Sequence, residues 1–294
     1  MATRAQWMAA TRPKTLPAAV APVLVGSALA YNSGAFDPYL AMFAAIVALA
    51  LQVGVNYAND YSDGIRGTDG VRVGPTRLVG QGLASAAAVR RAAFGAFEAA
   101  ALAGLGIVLL TDNWWLLLVG ALAIVSAWFY TGGKKPYGYL GFGELFVFIW
   151  FGLVAVNGTV SVQTGALSDW RGWVLGSGAG ALSCALLVAN NLRDIPTDAR
   201  AGKHTLAVKF GDRATRWFFT FLLVAGMGSP LLISIVEGRV DWVDLLLVIP
   251  FGLAHGPGRR VLAGARGMDL LPVLAETGRI LLVWSLCVSA TLLF

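Results

Sequence analysis

Long runs of residues without a single charge restrict how this chain can fold more than any other feature. Four such runs extend over Leu116–Tyr130, Phe146–Val162, Trp173–Ala189 and Phe218–Val236. Each approaches or reaches the length of a helix that crosses a bilayer, which is roughly 17–25 residues. Charged residues make up only 13% of the chain, against about 25% in soluble domains. The sequence therefore predicts an all-α integral membrane protein rather than a soluble protein with buried helices.

We predict about nine transmembrane helices that form a single polytopic membrane domain over residues 1–294. The predicted spans cover residues 16–31, 39–58, 86–110, 114–131, 141–162, 173–192, 215–236, 241–257 and 279–294.

The basic residues are distributed very unevenly over this map. Of the 22 lysines and arginines, 20 lie on the side of the N-terminus, and only Arg171 and Arg239 lie on the other. Because loops rich in Lys and Arg stay in the cytoplasm, we expect a multi-pass protein of the inner (plasma) membrane with a cytoplasmic N-terminus. The net charge of +6 is then mainly a sign of topology, and it does not indicate binding of nucleic acid.

The two cysteines and a possible cleavage motif lie inside the apolar segments, and neither adds a predicted catalytic or metal site. Cys184 and Cys287 lie inside predicted spans, where buried free thiols are expected rather than disulfides or a zinc site. Ala28-Leu29-Ala30 is similar to a signal-peptide cleavage site, although we expect the preceding segment to be retained.

The second predicted span ends in a polar stretch, Asn56 to Asp69, that contains several aspartates. Asn56, Asp60 and Asp63 follow one another at spacings of four and three, which places them on one face of a helix. Three oxygen-bearing side chains on one face can hold a hard cation such as Mg²⁺.

A related stretch ends the sixth predicted span, 134 residues later. It contains Asn190, Asp194 and Asp198. Both stretches are followed by a loop rich in basic residues. The matching position of both motifs, four spans apart and on the same side, predicts an internal repeat of four helices plus four, with a ninth added.

Acidic side chains beside basic loops indicate a magnesium–diphosphate ligand. Mg²⁺ is commonly held by one or two carboxylates and by substrate phosphates, while Lys and Arg bind the remaining phosphate oxygens. An apolar helix bundle behind them would accept a long hydrocarbon tail. A diphosphate joined to such a tail is a polyprenyl diphosphate. The structural alternative is that the aspartates cap loops or form ion pairs with Arg66 and Arg193.

Several motifs together resemble the UbiA-like membrane-embedded aromatic prenyltransferases, and among them the 1,4-dihydroxy-2-naphthoate polyprenyltransferases of menaquinone synthesis. The resemblance covers most of the chain and rests on the segments Thr11–Pro17, Asn56–Asp69, Gly74–Arg77, Gly80–Gly82, Tyr130–Gly133, Lys135-Pro136, Asn190–Asp198 and Gly202–Leu206. Gly67 stands where the ubiquinone branch has an aspartate, which favours the naphthoate branch and leaves the role of Asp69 open. Lys134 stands where a proline is expected.

The resemblance implies a nine-helix bundle with a lateral opening for the lipid tail, and Mg²⁺ bound between the two aspartate motifs. It also implies transfer of a polyprenyl group to 1,4-dihydroxy-2-naphthoate with loss of CO₂ and diphosphate, giving demethylmenaquinol. Polyprenyl diphosphate, dihydroxynaphthoate and the bilayer are then the partners.

On this basis the candidate site residues fall into three groups. The metal and diphosphate set comprises Asn56, Asp60, Asp63, Asp194 and Asp198, with the four aspartates as catalytic residues. Further diphosphate or substrate contacts are expected from Arg66, Arg77, Lys135, Lys203, Tyr130 and Asn190. Arg12 or Lys14 would hold the carboxylate of the acceptor.

Other hypotheses remain open at this stage. Another aromatic acceptor, for example 4-hydroxybenzoate, fits the same motifs. An ion-coupled transporter also has buried acids and repeats, but its acids usually lie near the bilayer midplane. Glu98 and Glu144, which lie in predicted spans, are either functional or bonded to neighbouring helices.

Overall fold

The computed structural model describes residues 2–67, 76–238 and 241–294, and this part of the chain contains helices and no β-strand. The helices are α1 (Arg4–Ala10), α2 (Pro17–Asn32), α3 (Pro38–Ile65), α4 (Ala86–Thr111), α5 (Leu116–Phe129), α6 (Gly143–Phe148), a π-helical segment (Ile149–Val154), α7 (Ala155–Thr164), α8 (Trp170–Arg200), α9 (Leu206–Glu237), α10 (Val248–Leu262) and α11 (Leu270–Leu293). Short 3₁₀ turns lie at Pro13–Thr15, Tyr137–Leu140, Trp242–Leu247 and Gly267–Asp269.

The predicted all-α membrane fold is confirmed, since each predicted span overlaps a helix. Among the described residues, six helices are long and apolar enough to cross a membrane, or seven if the pair Arg4–Thr15 and Pro17–Asn32, bent by 52°, counts as one span. The number nine stays a prediction. Helix α5 has only 14 residues, and the eighth predicted span is divided between a 3₁₀ turn and α10.

Several helices extend well beyond the predicted spans. The sequence predicts a span that ends at residue 192, but α8 continues to Arg200. Helix α9 begins at Leu206 rather than near 215, across a bend at Gly211 whose φ is 75°. Apolar composition marks the part of a helix that contacts lipid, whereas backbone hydrogen bonding continues past the first charged residue. Both aspartates of the second motif therefore lie on α8 itself.

Local sequence fixes where the main helices begin. Asp37 accepts hydrogen bonds from the backbone amides of Tyr39 and Leu40 at the start of α3. Asp169 and Thr205 accept equivalent bonds at the starts of α8 and α9. Such side-chain acceptors satisfy amides that have no partner within the helix.

The helices that carry the two aspartate motifs pack in corresponding ways. Helix α3 packs mainly against α4, and α8 packs mainly against α9. Helix α11 contacts α2, α8 and α10, and its fully buried Trp284 belongs to the largest apolar core. The predicted repeat is consistent with this pairing but is not tested by it.

The π-helical segment brings α6 and α7 very close to α8. A Cβ atom placed on Gly152 would lie 2.5 Å from the carbonyl oxygen of Gly176 and 2.6 Å from Cα of Gly180. Only glycine fits at this distance. The contact directs Trp150, Phe151 and Val154 of the same turns into a large internal cavity.

Candidate active site

A cavity of about 1020 Å³ extends along the interior of the bundle, between α2, α3, α4, α5, the α6–α7 segment and α8. Asp63 and Asp198 lie two residues before the ends of α3 and α8, respectively, and both line it. The lining residue Leu51 is 12 positions earlier on α3, which is about 18 Å deeper along a helix. The cavity therefore has a charged end and a long apolar part.

Lys203 connects the two aspartate motifs at the charged end. Its Nζ lies 3.0 Å from Oδ1 of Asp63 and 3.9 Å from Oδ1 of Asp198. All three residues are at most 5% exposed. Removing charges from water is costly unless they are paired, and this arrangement pairs them across the two motifs.

Asp63 has two further partners, one hydrogen-bond donor and one ion pair. The hydroxyl of Tyr139 donates a hydrogen bond to its Oδ1, and Nη2 of Arg77 lies 3.7 Å from its Oδ2. The ammonium of Lys203 also lies 4.5 Å from the centre of the Tyr139 ring, within the range of cation–π attraction. Burial and then the charge of Asp63 raise the pKa of Tyr139, so its hydroxyl keeps its proton at neutral pH.

Asp60 has a different task from Asp63. Its two carboxylate oxygens accept hydrogen bonds from the backbone amides of Leu78 at 2.7 Å and Val79 at 3.1 Å. It does not appear in the cavity wall. The predicted common face of Asn56, Asp60 and Asp63 is thus divided: Asp60 anchors the turn that follows Arg77, and the other two face the cavity.

The second motif is divided in a similar way. Arg193 binds Asp194 through two hydrogen bonds of 2.7 Å, and it also donates to Oδ1 of Asn190 at 2.6 Å. Arg193, Asn190 and Asp198 line the cavity, whereas Asp194 does not. The alternative considered from sequence, an ion pair of Asp194 with Arg193, is present, but both partners are buried rather than solvated.

Asn56 holds the N-terminal segment against α3. Its Nδ2 donates to the carbonyl of Thr11 at 2.8 Å and to Oγ1 of Thr15 at 3.2 Å, and Gln52 donates to the same Oγ1 at 2.9 Å. Between these two threonines lie Arg12 and Lys14, which line the cavity.

Arg12 adopts a left-handed backbone conformation with φ of 54°. Residues other than glycine reach this region at an energetic cost, and such positions cluster at functional sites.

Two predicted diphosphate contacts lie away from the cavity. Arg66 donates to the carbonyl oxygens of Thr131 and Gly133 and lies 5.3 Å from the Tyr139 ring centre, so it holds the loop after α5. Lys135 is exposed on that loop and is not part of the cavity wall. The structure thus brings Arg77 and Lys203 close to the aspartates. It does not bring Arg66 or Lys135 there.

Tyr130 lines the cavity as predicted, and its ring packs edge-on at 5.6 Å from that of Tyr137. Glu144 is buried, and its Oε1 accepts a hydrogen bond from Nδ2 of Asn191 at 2.9 Å. Glu98 is exposed on α4 and does not line the cavity. The sequence left Glu144 either as a functional acid or as an acid bonded to a neighbouring helix, and its contact with Asn191 of α8 corresponds to the second.

Some residues at the charged end were missed from sequence. Asn59 lines the cavity, and its Oδ1 accepts a hydrogen bond from Thr131 at 2.7 Å. Its spacing of four to Asp63 repeats that of Asn190 to Asp194, which is a signal that the sequence did contain. Tyr139 gave no such signal, since it meets Asp63 across 76 positions.

Part of the second loop lies outside the described residues. Arg72, Asp69 and the Gly74-Pro75 pair of the family motif belong to this part. Arg239, one of the two basic residues predicted on the outer side, also lies outside them.

The oxygens at the charged end can accept a divalent cation. No group of three or more His, Cys, Asp or Glu side chains suited to a metal occurs among the described residues. Mg²⁺ does not need such a group, because it is usually held by one or two carboxylates together with substrate phosphates and water. Asp63 and Asp198, with the amide oxygens of Asn59 and Asn190, fit that donor set.

Comparisons with known proteins agree on one family. The sequence model of the UbiA prenyltransferase family matches residues 19–263. The chain is 51% identical over 297 residues to a 1,4-dihydroxy-2-naphthoate octaprenyltransferase of Mycobacterium tuberculosis, covering 100% of this chain and 99% of the relative.

Solved structures of low sequence identity share the fold. A UbiA homolog from Aeropyrum pernix K1 superposes with a TM-score of 0.71 at 13% identity, covering 92% of this chain and 96% of that one. A UbiA homolog from Archaeoglobus fulgidus bound to GPP and Mg²⁺ superposes with a TM-score of 0.63 at 12% identity, covering 97% and 99%.

Proposed function

The chain belongs to the UbiA prenyltransferase family, and from this premise we propose that it transfers a polyprenyl group from a polyprenyl diphosphate to 1,4-dihydroxy-2-naphthoate. The observation that carries the proposal is the meeting of Asp63, Lys203 and Asp198 at the charged end of a long apolar cavity. The M. tuberculosis relative is named for this acceptor.

The diphosphate binds at the charged end in this proposal. Lys203, Arg77 and Arg193 supply cationic donors from the cavity wall, and charge-assisted hydrogen bonds to phosphate oxygens are among the strongest that proteins form. Mg²⁺, which the A. fulgidus homolog holds together with GPP, would be bound by Asp63 and Asp198. When bound, it supplies positive charge that stabilises the departing diphosphate.

The polyprenyl tail occupies the apolar part of the cavity. Residues such as Leu51, Ala48 and Val47 of α3 line it, and an uncharged tail gains free energy from contact with such a surface. This wall also keeps water from the allylic cation that forms when the C1–O bond breaks and its electron pair leaves with the diphosphate.

The naphthoate ring then forms the new carbon–carbon bond. We propose that attack occurs at the carbon bearing the carboxylate, and that the electron pair of the lost C–C bond restores the aromatic ring as CO₂ leaves. An ionised carboxylate makes this balance complete without removal of a ring proton. Arg12 or Lys14, held in the cavity wall by the Asn56 contacts, orients the carboxylate before it leaves.

We further propose that the site faces the cytoplasm of the cell and that the chain is a single domain. Support for the orientation comes from the uneven distribution of basic residues in the sequence. The charged end lies at the ends of α3 and α8, which the same count places on the cytoplasmic side.

An assay with purified protein tests the reaction. It uses one polyprenyl diphosphate with 1,4-dihydroxy-2-naphthoate carrying a labelled carboxylate, and 4-hydroxybenzoate as the competing acceptor. We expect label to be released as CO₂ in step with product, little product from 4-hydroxybenzoate, and no turnover after removal of Mg²⁺ by EDTA. Retention of the label in the product would contradict the naphthoate route, and full activity after thorough chelation would contradict the magnesium–diphosphate site.

A further inference from the structure

A second, smaller cavity of about 200 Å³ lies between α10 and α11, apart from the one described above. Its wall combines three charged side chains, Arg260, Glu276 and Arg279, with the apolar Leu253 and Ile280. None of these residues lines the large cavity. We refer to this place as the α10–α11 groove.

Arg279 is exposed on α11, nine positions after the helix begins. That spacing corresponds to about 14 Å along the helix, and Leu286, seven positions further, is exposed as well. The described residues give the Arg279 side chain no hydrogen bond and no ion pair. Near the cytoplasmic end of the bundle, where the count of basic residues puts it, this exposed guanidinium can pair with the headgroup of an anionic lipid.

Glu276 has one satisfied oxygen and one that lacks a partner. Its Oε1 accepts a hydrogen bond from Nη1 of Arg260 at 2.7 Å. Its Oε2 is buried, and the described part of the chain provides no donor for it. Because buried acceptors nearly always have a donor, this oxygen leaves room in the hydrogen bonding of the groove wall for one more donor.

Together the charges and the unfilled acceptor of the groove define which ligand groups would fit it. Two arginines and one glutamate leave the groove with a formal net charge of +1, which one phosphodiester balances. A hydroxyl on the same ligand would satisfy the unfilled acceptor of Glu276. Leu253 and Ile280 provide an apolar wall for an acyl chain. A water molecule would satisfy Glu276 but not the charge of Arg279.

We propose that the α10–α11 groove binds an anionic phospholipid with a hydroxylated headgroup. The phosphodiester lies between Arg260 and Arg279, a headgroup hydroxyl donates to Oε2 of Glu276, and the acyl chains run along α10 and α11. Basic recesses between transmembrane helices are known to accept anionic headgroups.

Occupancy of the groove joins α10 to α11 near the cytoplasmic end. Helix α11 in turn packs closely on the N-terminal segment, since a Cβ atom on Gly278 would lie 2.6 Å from the carbonyl oxygen of Lys14. A bound lipid therefore stabilises the bundle without contacting the substrates.

Thermal unfolding of the full chain in detergent tests the proposal. Phosphatidylglycerol is compared with phosphatidylmethanol, which has the same charge but no headgroup hydroxyl, and with phosphatidylcholine. We expect the Tm to rise most with phosphatidylglycerol, less with phosphatidylmethanol and least with phosphatidylcholine. Equal shifts for phosphatidylglycerol and phosphatidylcholine would overturn the proposal. The same shift from sn-glycerol 3-phosphate would assign the groove to a soluble phosphate ester instead of a lipid.

Three variants locate the effect. Arg279→Leu should lose the response to both anionic lipids, and Glu276→Met should respond equally to both, because its side chain offers no oxygen to accept a hydrogen bond from the hydroxyl. Arg259→Leu is the matched control, since Arg259 is exposed on α10 but does not line the groove, and it should behave as wild type. An unchanged lipid response in Arg279→Leu would overturn the proposal. If that variant does not fold, native mass spectrometry decides, and preferential retention of phosphatidylcholine by the wild type would also contradict it.

Discussion

The Nζ of Lys203 lies 3.0 Å from Oδ1 of Asp63, although 140 positions separate the two residues in the chain. This contact joins the end of α3 to the loop after α8 at the charged end of the cavity. It places a cation where the proposed reaction releases diphosphate.

Replacing Lys203 should therefore abolish most prenyl transfer. We expect Lys203→Met to lower turnover by about 10²-fold or more, the size of loss seen when a donor to developing negative charge is removed. Lys203→Arg should recover part of it. The control is Lys135→Met, because Lys135 is exposed and outside the cavity wall. Equal losses in both variants would argue against a direct role for Lys203.

Asp60 and Asp63 should respond differently to substitution. Asp60→Asn removes one of two amide contacts to Leu78 and Val79, which should cost about 1–3 kcal/mol of stability but leave turnover measurable at low temperature. Asp63→Asn should remove turnover at every temperature at which the protein is folded. Thermal unfolding and activity measured side by side distinguish the two effects. An inactive but fully stable Asp60→Asn variant would place Asp60 among the ligands after all.

Asn56→Ala should impair the acceptor more than the polyprenyl diphosphate. The substitution releases the hydrogen bonds that hold the segment with Arg12 and Lys14. A lost hydrogen bond of about 0.5–1.5 kcal/mol corresponds to a roughly 2- to 10-fold rise in KM for the naphthoate. Separate KM values for both substrates are the measurement. Equal increases for both would instead assign Asn56 to the diphosphate.

Tyr139 should give the protein an alkaline loss of stability. Its pKa is raised from a usual value of 10 by burial and by the charge of Asp63. The folded state thus binds this proton more tightly than the unfolded state, so its contribution is complete below about pH 10 and is lost as the pH rises through the folded pKa. Tyr139→Phe should lack this dependence. Unfolding curves of both proteins between pH 7 and 11 that run parallel would contradict it.

Membrane orientation is tested by reporter fusions. Fusions after Arg77 and after Arg200 should both report the cytoplasm, because both sites lie within basic loops on the same predicted side. A fusion after Arg171 should report the opposite side. If the fusions after Arg77 and Arg200 reported opposite sides of the membrane, the predicted arrangement of spans would be contradicted.

The sequence predicts the fold better than it predicts the site. Uncharged runs identify the membrane helices because lipid contact excludes charge along a whole segment. The spacing of Asn56, Asp60 and Asp63 correctly indicates a polar helix end, but it cannot show which side chain faces the cavity. That choice depends on the amides of Leu78 and Val79, which lie in a loop that helix periodicity does not describe. Tyr139 was missed for the same reason.

Lys203 has a consequence for the order in which ligands bind. Before any substrate arrives, its ammonium already balances part of the charge of Asp63 and Asp198, so a free divalent cation gains little there. A diphosphate offers Lys203 another anionic partner and adds negative charge beside the two carboxylates. Each ligand then increases the affinity of the other, which is positive heterotropic cooperativity. Metal and diphosphate should therefore bind as a pair rather than one after the other.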